Sequence, residues 1–234
     1  MFFLDTFSIM LILPAMALAF WAQSQVKGNY HKYSQVRSRK GLTGAEVAQT
    51  LLSQNGIKDV TVERIKGELT DHYDPRSKVI RLSDGIYSST SVAALSIAAH
   101  EAGHAVQHDV NYTPLAVRSA ILPLATIGSN AGMWLFMIGI ILAGFAGDAF
   151  SNEIMLAGII LFSCAVLFQL VTLPVEFNAS KRAVDMLQEY NMLDETEIPS
   201  AKKVLNAAAL TYVAAATMAL AHLLRFILIY SRRR

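Results

Sequence analysis

The sequence predicts a mainly α-helical integral membrane protein, with about four transmembrane helices and a polar α+β segment between the first two. Hydrophobic residues make up 53% of the 234 residues and charged residues only 16%, a composition shifted towards membrane proteins. Four long segments carry no formal charge, and the polar segment contains His-Glu-Ala-Gly-His at residues 100–104. The net charge of +2 is too small to indicate a nucleic-acid partner.

The uncharged segments define the predicted order of elements. With His222 counted as neutral, they are residues 6–26, 119–147, 154–175 and 204–224. About 20 apolar residues cross the hydrocarbon core, and the fourth segment is weaker because it is rich in alanine and contains polar side chains. The predicted organisation is a transmembrane anchor (1–26), a polar segment (27–118), transmembrane helices (119–147 and 154–175), a polar helix (176–203), and a C-terminal transmembrane or membrane-associated helix (204–230).

The first apolar segment has two interpretations. Ala17-Leu18-Ala19 resembles a signal-peptide cleavage site. However, Asp5 stands where a signal peptide carries basic residues, which favours a retained membrane anchor.

Charges flanking the spans predict the orientation. Basic residues without an acid among them follow the first span: Lys27, Lys32, Arg37, Arg39 and Lys40. Such clusters mark the cytoplasmic side, as do Lys181, Arg182, Lys202 and Lys203 after the third span. The loop from Gly144 to Glu153 carries acids and no Lys or Arg, so we expect it outside, with the N-terminus. One signal conflicts: a fully spanning last helix would place Arg232, Arg233 and Arg234 outside.

The polar segment shows signals for a helix and for strands. Thr43 and Glu46 have the spacing of a capping box, followed by apolar residues on one helical face. The alternating stretches 59–65 and 78–84 predict a small antiparallel sheet, with a turn at residues 74–77. Residues 88–91 offer several N-caps for a helix through the histidine pair.

His100 and His104 are four residues apart and therefore lie on one face of that helix. Neutral imidazoles bind zinc, and Glu101 beside them is placed to act as a general base. We therefore predict a site for one Zn²⁺ ion; the alternative is a pair of histidines in a core hydrogen-bond network. His108 lies about 12 Å further along the helix axis, too far to share one ion with His100.

A third ligand is expected after the third span. Pro174 suits the first turn of a helix, which would present Glu176 at the membrane surface. A carboxylate stabilised by the helix dipole is the alternative interpretation of Glu176, and Asp185 is an alternative ligand or a partner of a zinc-bound histidine. The other nearby acids are interpreted as a solvated face and loop: Glu189, Asp194, Glu195 and Glu197.

Several motifs in order carry a family resemblance: GLTGAEVAQTLL, GELTDHYDPRSKVIRLSDGIY, AAHEAGHAVQH, LPVEFNASKRAV and LNAAALTYVAA. Together they closely resemble the YugP-type neutral zinc metallopeptidases, small bacterial membrane proteins. The resemblance covers nearly the whole chain. It implies a zincin-like segment around the HExxH helix and a zinc peptidase anchored in the bacterial cell membrane.

The chain is also distantly similar to gluzincin proteases of the HtpX and Ste24 kind. Their third ligand is a Glu in a sequence like E-F-x-A-D, which corresponds to Glu176 in EFNAS. Ser180 departs from this pattern, where the relatives have Asp. The resemblance also implies an edge strand that binds extended substrate before the active helix, at Lys78, Val79, Ile80, Arg81 and Leu82.

The sequence therefore predicts a zinc endopeptidase at the cytoplasmic membrane surface, acting on peptides or proteins that include membrane proteins. Tyr212 or His222 in the last helix is offered as the oxyanion donor, although each is more often structural at such a position. A site inside the bilayer is disfavoured, because the uncharged stretch between Asp84 and His100 is too short to span it. The competing function is a catalytically idle membrane scaffold or metal-binding module that retains the HExxH helix.

Overall fold

The computed structural model describes residues 6–143, 145 and 147–233. Asp5, which favours a retained anchor, and the orientation signals at Gly144 and Arg234 lie outside the described part. Most of the chain is helical, which confirms the predicted class. The elements in order are α1 Thr6–Ser34, α2 Gly44–Gln54, β1 Thr61–Ile65, β2 His72–Asp74, β3 Val79–Ser83, α3 Asp84–Tyr87, α4 Val92–Asp109, α5 Thr113–Leu142, α6 Asp148–Glu189 and α7 Ile198–Ser231.

The chain divides into two compact units, which we call the helical unit and the mixed unit. The helical unit comprises residues up to 21, 117–173 and those from 212 onward. The mixed unit comprises residues 22–116 and 174–211, and therefore contains α2 to α4 and the sheet. Because α6 and α7 each contribute to both units, the boundaries fall within continuous helices.

Four helices are long and apolar enough to cross a membrane: α1, α5, α6 and α7. The predicted number of spans is therefore supported, and α7 is included despite its polar residues, with a mean hydropathy of 1.8 over its most apolar window. Large apolar side chains on these helices are exposed, including Trp134 and Ile160. Such exposure suits contact with lipid, where no water penalises it.

Small residues allow close helix packing within the helical unit. A Cβ on Gly132 would lie 2.7 Å from the Phe162 backbone nitrogen, so α5 and α6 approach closely at this glycine. Phe136 and Phe226 stack with their ring centroids 4.1 Å apart. Glycine at helix contacts is typical of membrane bundles, where packing and not water exclusion holds the helices together.

The core of the mixed unit lies among α2, α4 and the sheet. Leu51, Ile80 and Leu95 are fully buried in one cluster. The predicted capping box is present: Thr43 accepts a hydrogen bond from the Glu46 backbone, and the Glu46 side chain accepts one from the Thr43 backbone. Local sequence signals therefore fix the start of α2, and its apolar face completes the core.

The sheet differs from the prediction. β3 is central, paired parallel with β1 and antiparallel with β2. The expected antiparallel pairing of residues 59–65 with 78–84 is wrong. The chain reverses twice between these strands, first before the three-residue strand β2 and then at the turn over residues 74–77. After two reversals, β3 runs in the same direction as β1.

Pro174 lies inside α6 and does not start a new helix. The predicted start of a separate helix is therefore wrong, and the helix-dipole interpretation of Glu176 fails because no helix begins there. The boundary between the helical unit and the mixed unit nevertheless falls within α6, between Leu173 and Pro174. Proline removes one backbone donor, but membrane helices tolerate this loss where neighbouring groups compensate. A single helix consequently contains both the third apolar segment and Glu176.

Glu197 is buried, with 8% of its surface exposed, so its assignment to a solvated face is wrong. Its carboxylate accepts hydrogen bonds from the Arg39 backbone at 2.9 Å, the Asp194 backbone at 2.9 Å and the Ser38 hydroxyl at 3.3 Å. These bonds join the segment after α1 to the segment before α7. A buried carboxylate is tolerated where several donors replace its water.

Candidate metal centre

The helix α4 presents the two histidines, and its N-terminus is held by side-chain and backbone contacts. Ser91 caps the helix by accepting a hydrogen bond from the Ala94 backbone at 3.2 Å. The backbone of Val92 donates to the carbonyl of Val36 at 2.9 Å. Among the predicted N-caps, Ser91 is therefore the one that caps α4. The backbone hydrogen bond from Val92 connects the start of α4 to the segment that follows α1.

Gly103 lets α4 approach α6 within the mixed unit. A Cβ on Gly103 would lie 2.7 Å from the carbonyl oxygen of Ala179, closer than any side chain tolerates. The small residue inside the His-Glu-Ala-Gly-His motif therefore permits a close approach of the two helices. This contact brings the segment containing Glu176 against the histidine face of α4.

Ligand atoms of His100, His104 and Glu176 all lie within 4.8 Å of one another. Glu176 Oε2 is 3.3 Å from His100 Nε2 and 3.5 Å from His104 Nε2. Two ligands of one tetrahedral zinc, each at 2.0–2.1 Å, lie roughly 3.3 Å apart. The donor set of two imidazoles and a carboxylate, and its spacing, therefore fit a zinc ion.

The surroundings of the cluster favour positive charge. The Glu176 side chain is only 2% exposed. Burial lowers the pKa of the His104 imidazole, but its hydrogen bond to Glu176 and the charges of Glu101 and Glu176 outweigh burial and hold that pKa above its usual value. The carboxylates of Glu101 and Glu176 thus favour a positive charge at the buried His104 imidazole. That charge is supplied either by a proton or by a metal ion.

Each histidine has a second contact on its other ring nitrogen. His100 Nδ1 lies 3.2 Å from the hydroxyl of Ser180, and His104 Nδ1 lies 3.0 Å from Gln107 Oε1. Ser180 thus occupies the place where the distant relatives have Asp, and a hydroxyl there still contacts the ring. The sequence analysis missed Gln107, although its spacing of three residues from His104 on one helix was visible.

Glu101 is buried, with 7% of its surface exposed. Asp71 is a second acid, which was not predicted from the sequence. It lies close enough to Glu101 for the charge of Glu101 to affect its pKa. Burial raises the pKa of Asp71, the charge of Glu101 raises it further, and hydrogen bonds from Ser83 oppose both effects without reversing the shift. Nothing in the spacing of the sequence pairs residue 71 with residue 101, because the sheet brings them together.

Two other residues considered as metal ligands, His108 and Asp185, lie apart from the cluster. His108 Nδ1 is 2.8 Å from the hydroxyl of Tyr73, and both side chains line a cavity of about 200 Å³. Among the described residues, Asp185 is not in the group that could hold a metal; it is exposed on α6. The structure thus brings Glu176, and not these residues, to the histidine pair.

The predicted substrate strand is misplaced. The residues assigned to it, Lys78, Val79, Ile80, Arg81 and Leu82, include most of β3, which is paired on both sides. Beyond the end of β2, the Ser83 backbone nitrogen donates to Asp71 Oδ1 at 2.7 Å. The edge-strand assignment is therefore wrong, because the backbone of β3 already has partners.

The proposed oxyanion donors, Tyr212 and His222, belong to the helical unit, whereas the cluster belongs to the mixed unit. Within its unit, the His222 ring lies edge-on to Phe162, with centroids 6.5 Å apart. Their predicted role stays a prediction.

Four helices of membrane-spanning length and a buried cluster of two histidines and a glutamate define a membrane protein with a candidate metal centre. The family model described as "Putative neutral zinc metallopeptidase" matches residues 8–231, and the chain belongs to that family. It is also 47% identical to "Putative membrane protease YugP" from Bacillus subtilis (strain 168), over 97% of each chain. The resemblance inferred from the motifs is thereby confirmed. No solved structure shows a significant match.

Proposed function

We propose that the protein is an integral-membrane zinc endopeptidase of the bacterial plasma membrane. The convergence of His100, His104 and Glu176 from two helices carries the proposal. Membership of a family described as zinc metallopeptidases, and a relative described as a membrane protease, support it. A metal-binding module without activity would need the same three ligands but not the buried acid next to them.

His100, His104 and Glu176 would hold the ion. Zinc bound there would polarise the scissile carbonyl and lower the pKa of water to near neutrality. The three ligands leave a fourth position for water or substrate, which is typical of catalytic zinc sites and not of structural ones.

Glu101 is the general base of the proposed mechanism. It takes a proton from the attacking water and then donates it to the leaving amine, so that the net reaction is hydrolysis of one peptide bond. Its charge acts on the His104 imidazole, which supports a position close to the cluster.

An extended peptide substrate would bind along β2. This strand is an edge of the sheet and pairs only with β3 among the described residues. Its other side presents unpaired backbone groups, which can add a substrate strand. β2 packs against α4, which places this edge beside the helix with the histidines. Specificity for the substrate sequence would come from pockets along that edge.

The active site would face the cytoplasm. The mixed unit contains the basic cluster from Lys27 to Lys40 and further basic residues on α6 and α7: Lys181, Arg182, Lys202 and Lys203. Cytoplasmic segments of membrane proteins are enriched in such residues. Substrates would then be cytoplasmic peptides, or membrane proteins whose loops reach this surface.

Glu101→Gln tests the proposal in purified protein. We expect the variant to bind zinc stoichiometrically, because no ligand is changed, and to lose cleavage of an unfolded test protein by at least about 100-fold, the usual contribution of a general base. Zinc content and cleavage are measured on the same preparations. Cleavage by the variant at the wild-type rate would overturn the role of Glu101 as the base, and zinc binding without cleavage in both proteins would favour the idle module.

A further inference from the structure

Gln107 is fully buried, with 0% of its surface exposed, and each polar atom of its side chain has a partner. Its Oε1 lies 3.0 Å from His104 Nδ1. Its Nε2 donates to the carbonyl of Val175 at 2.8 Å and to Asn178 Oδ1 at 3.0 Å. The side chain therefore connects α4 to α6 directly beside the candidate metal centre.

The partner on α6 determines which way the amide faces. The Val175 carbonyl can only accept hydrogen bonds, so the amide NH₂ group of Gln107 must point to it. The amide oxygen then faces His104, and an oxygen of this kind can only accept. His104 must therefore carry a proton on Nδ1.

This proton determines what Nε2 can do. A neutral imidazole has one N–H, so protonation of Nδ1 leaves a lone pair on Nε2. That atom lies 3.5 Å from Glu176 Oε2. A lone pair facing a carboxylate is unfavourable unless a cation lies between them, and the arrangement is therefore suited to a metal ion.

The chain of contacts extends to a fixed charge. Asn178 Oδ1 also accepts from Arg182 Nε at 2.8 Å, so a guanidinium holds the oxygen that receives the Gln107 amide. The contact of Ser180 with His100 differs, because a hydroxyl can donate or accept. Only the Gln107 contact selects one tautomer.

We propose that Gln107 is a positioning residue that holds His104 as the Nδ1–H tautomer, with Nε2 directed at the metal. The inference rests on the proposed zinc site and adds a residue that the three ligands do not reveal. Outer partners of zinc-binding histidines fix the orientation and basicity of the ring.

Two substitutions separate this role from simple packing. Gln107→Met keeps the length of the side chain but removes the acceptor, and we expect zinc affinity to fall by roughly 10–100-fold. Gln107→Glu keeps an acceptor opposite Nδ1 but loses the donations to Val175 and Asn178, so its affinity should lie between those of Gln107→Met and the wild type. Ser96→Ala is the matched control, because Ser96 is equally buried on α4 and donates to the Val92 carbonyl at 2.7 Å, away from the ligands.

Zinc affinity is measured by competition with a chelator, and the Nδ1 proton of His104 by NMR of the zinc-loaded protein with labelled histidine. We expect slow exchange of this proton with water in the wild type, Gln107→Glu and Ser96→Ala, and fast exchange in Gln107→Met. Unchanged affinity or exchange in Gln107→Met would overturn the role of Gln107 but leave the zinc site standing. A wild type that takes up no zinc would overturn both the site and this inference.

Discussion

Glu176 is the residue on which the candidate centre depends, because it contacts both histidines while itself nearly fully buried. A buried carboxylate is costly without partners, and here two imidazoles supply them. At the residue scale, therefore, the site is a balance of charges that one cation completes.

Replacing Glu176 by Ala should lower zinc affinity by more than the roughly 10–100-fold expected for an outer partner, since a direct ligand is lost. The measurement is chelator competition with purified protein. Asp185→Ala is the control, because Asp185 is an exposed acid on the same helix and should leave affinity unchanged. Equal affinity in the two variants would contradict the assignment of Glu176 as a ligand.

Asp74 links pH to stability at the turn between β2 and β3. Hydrogen bonds from Ser77 and the Arg76 backbone lower the pKa of Asp74 to about 2. Because the folded pKa lies below the unfolded one, the stabilisation is present above about pH 4 and is lost as the pH falls towards 2.

The variant Asp74→Asn should therefore unfold at a lower temperature than the wild type at pH 7, and this difference should shrink as the pH approaches 2. Thermal unfolding in detergent over this pH range measures it. Thr61→Ser, which alters an exposed residue of the same sheet without removing a titratable group, should show no such convergence. A difference for Asp74→Asn that stays constant with pH would contradict this linkage.

At the scale of elements, the contact of α4 with α6 decides whether the three ligands meet. A Cβ on Gly103 would lie 2.7 Å from the carbonyl oxygen of Ala179. The carbonyl oxygen belongs to the backbone of α6, and the Cβ would be bonded directly to the backbone of α4. Neither helix can yield by rotating a side chain. The two helices must separate if residue 103 gains a methyl group.

Gly103→Ala should consequently lower the free energy of unfolding by about 1–3 kcal/mol, as in other overpacked cores. It should also lower the affinity for zinc. Gly28→Ala is a matched control, because a Cβ there has nothing within 4 Å and alanine favours the helix by up to about 1 kcal/mol. If Gly103→Ala bound zinc as tightly as Gly28→Ala, the close approach would not be what assembles the site.

The sequence predicted the elements that local rules determine. Thr43 with Glu46 marked the start of α2, and the uncharged segments marked the four long helices. It failed where partners distant in the chain decide the outcome. Pro174 predicts a helix start, but α6 continues through it. The composition around Glu197 predicts a solvated residue, but Ser38 and Arg39 donate hydrogen bonds to its buried carboxylate. The parallel pairing of β1 with β3 depends on β2, whose three residues give no periodic signal.

The same distinction between local signals and distant contacts applies to the candidate site. His100, Glu101 and His104 follow from a helical spacing, and Glu176 from its place after the third span and from the resemblance. Gln107 and Asp71 were not found, because their relevance depends on contacts with α6 and the sheet. Residues that belong to a motif are thus predictable, and those that contact or orient the motif residues in the folded chain are not, even when they are near in sequence.

At the scale of the whole molecule, an ion pair bears on the orientation of the last helix. Arg233 Nη2 lies 3.5 Å from Asp148 Oδ1 within the helical unit. The C-terminal end of α7 is therefore beside the N-terminal end of α6, and α7 runs antiparallel to it. A nearby acid also reduces the cost of placing basic residues on the side predicted to be external.

Thiol labelling of intact cells tests this topology in a Cys164→Ser background. We expect Glu153→Cys and Ser231→Cys to react with a membrane-impermeant reagent, and Lys40→Cys to react only after permeabilisation. Different behaviour of residues 153 and 231 would contradict a complete crossing by α7. Labelling of residue 40 in intact cells would contradict the cytoplasmic orientation.

The continuity of α6 has a consequence for how the protein is made. The ribosome synthesises the histidine pair well before Glu176, and the third ligand arrives on the same helix as an apolar segment that must first enter the bilayer. A nascent chain therefore contains only two of the three ligands until the middle of α6 has been synthesised. Completion of the candidate centre is thus coupled to synthesis of the helix that also carries the third apolar segment, and no ion can have all three ligands before that helix exists.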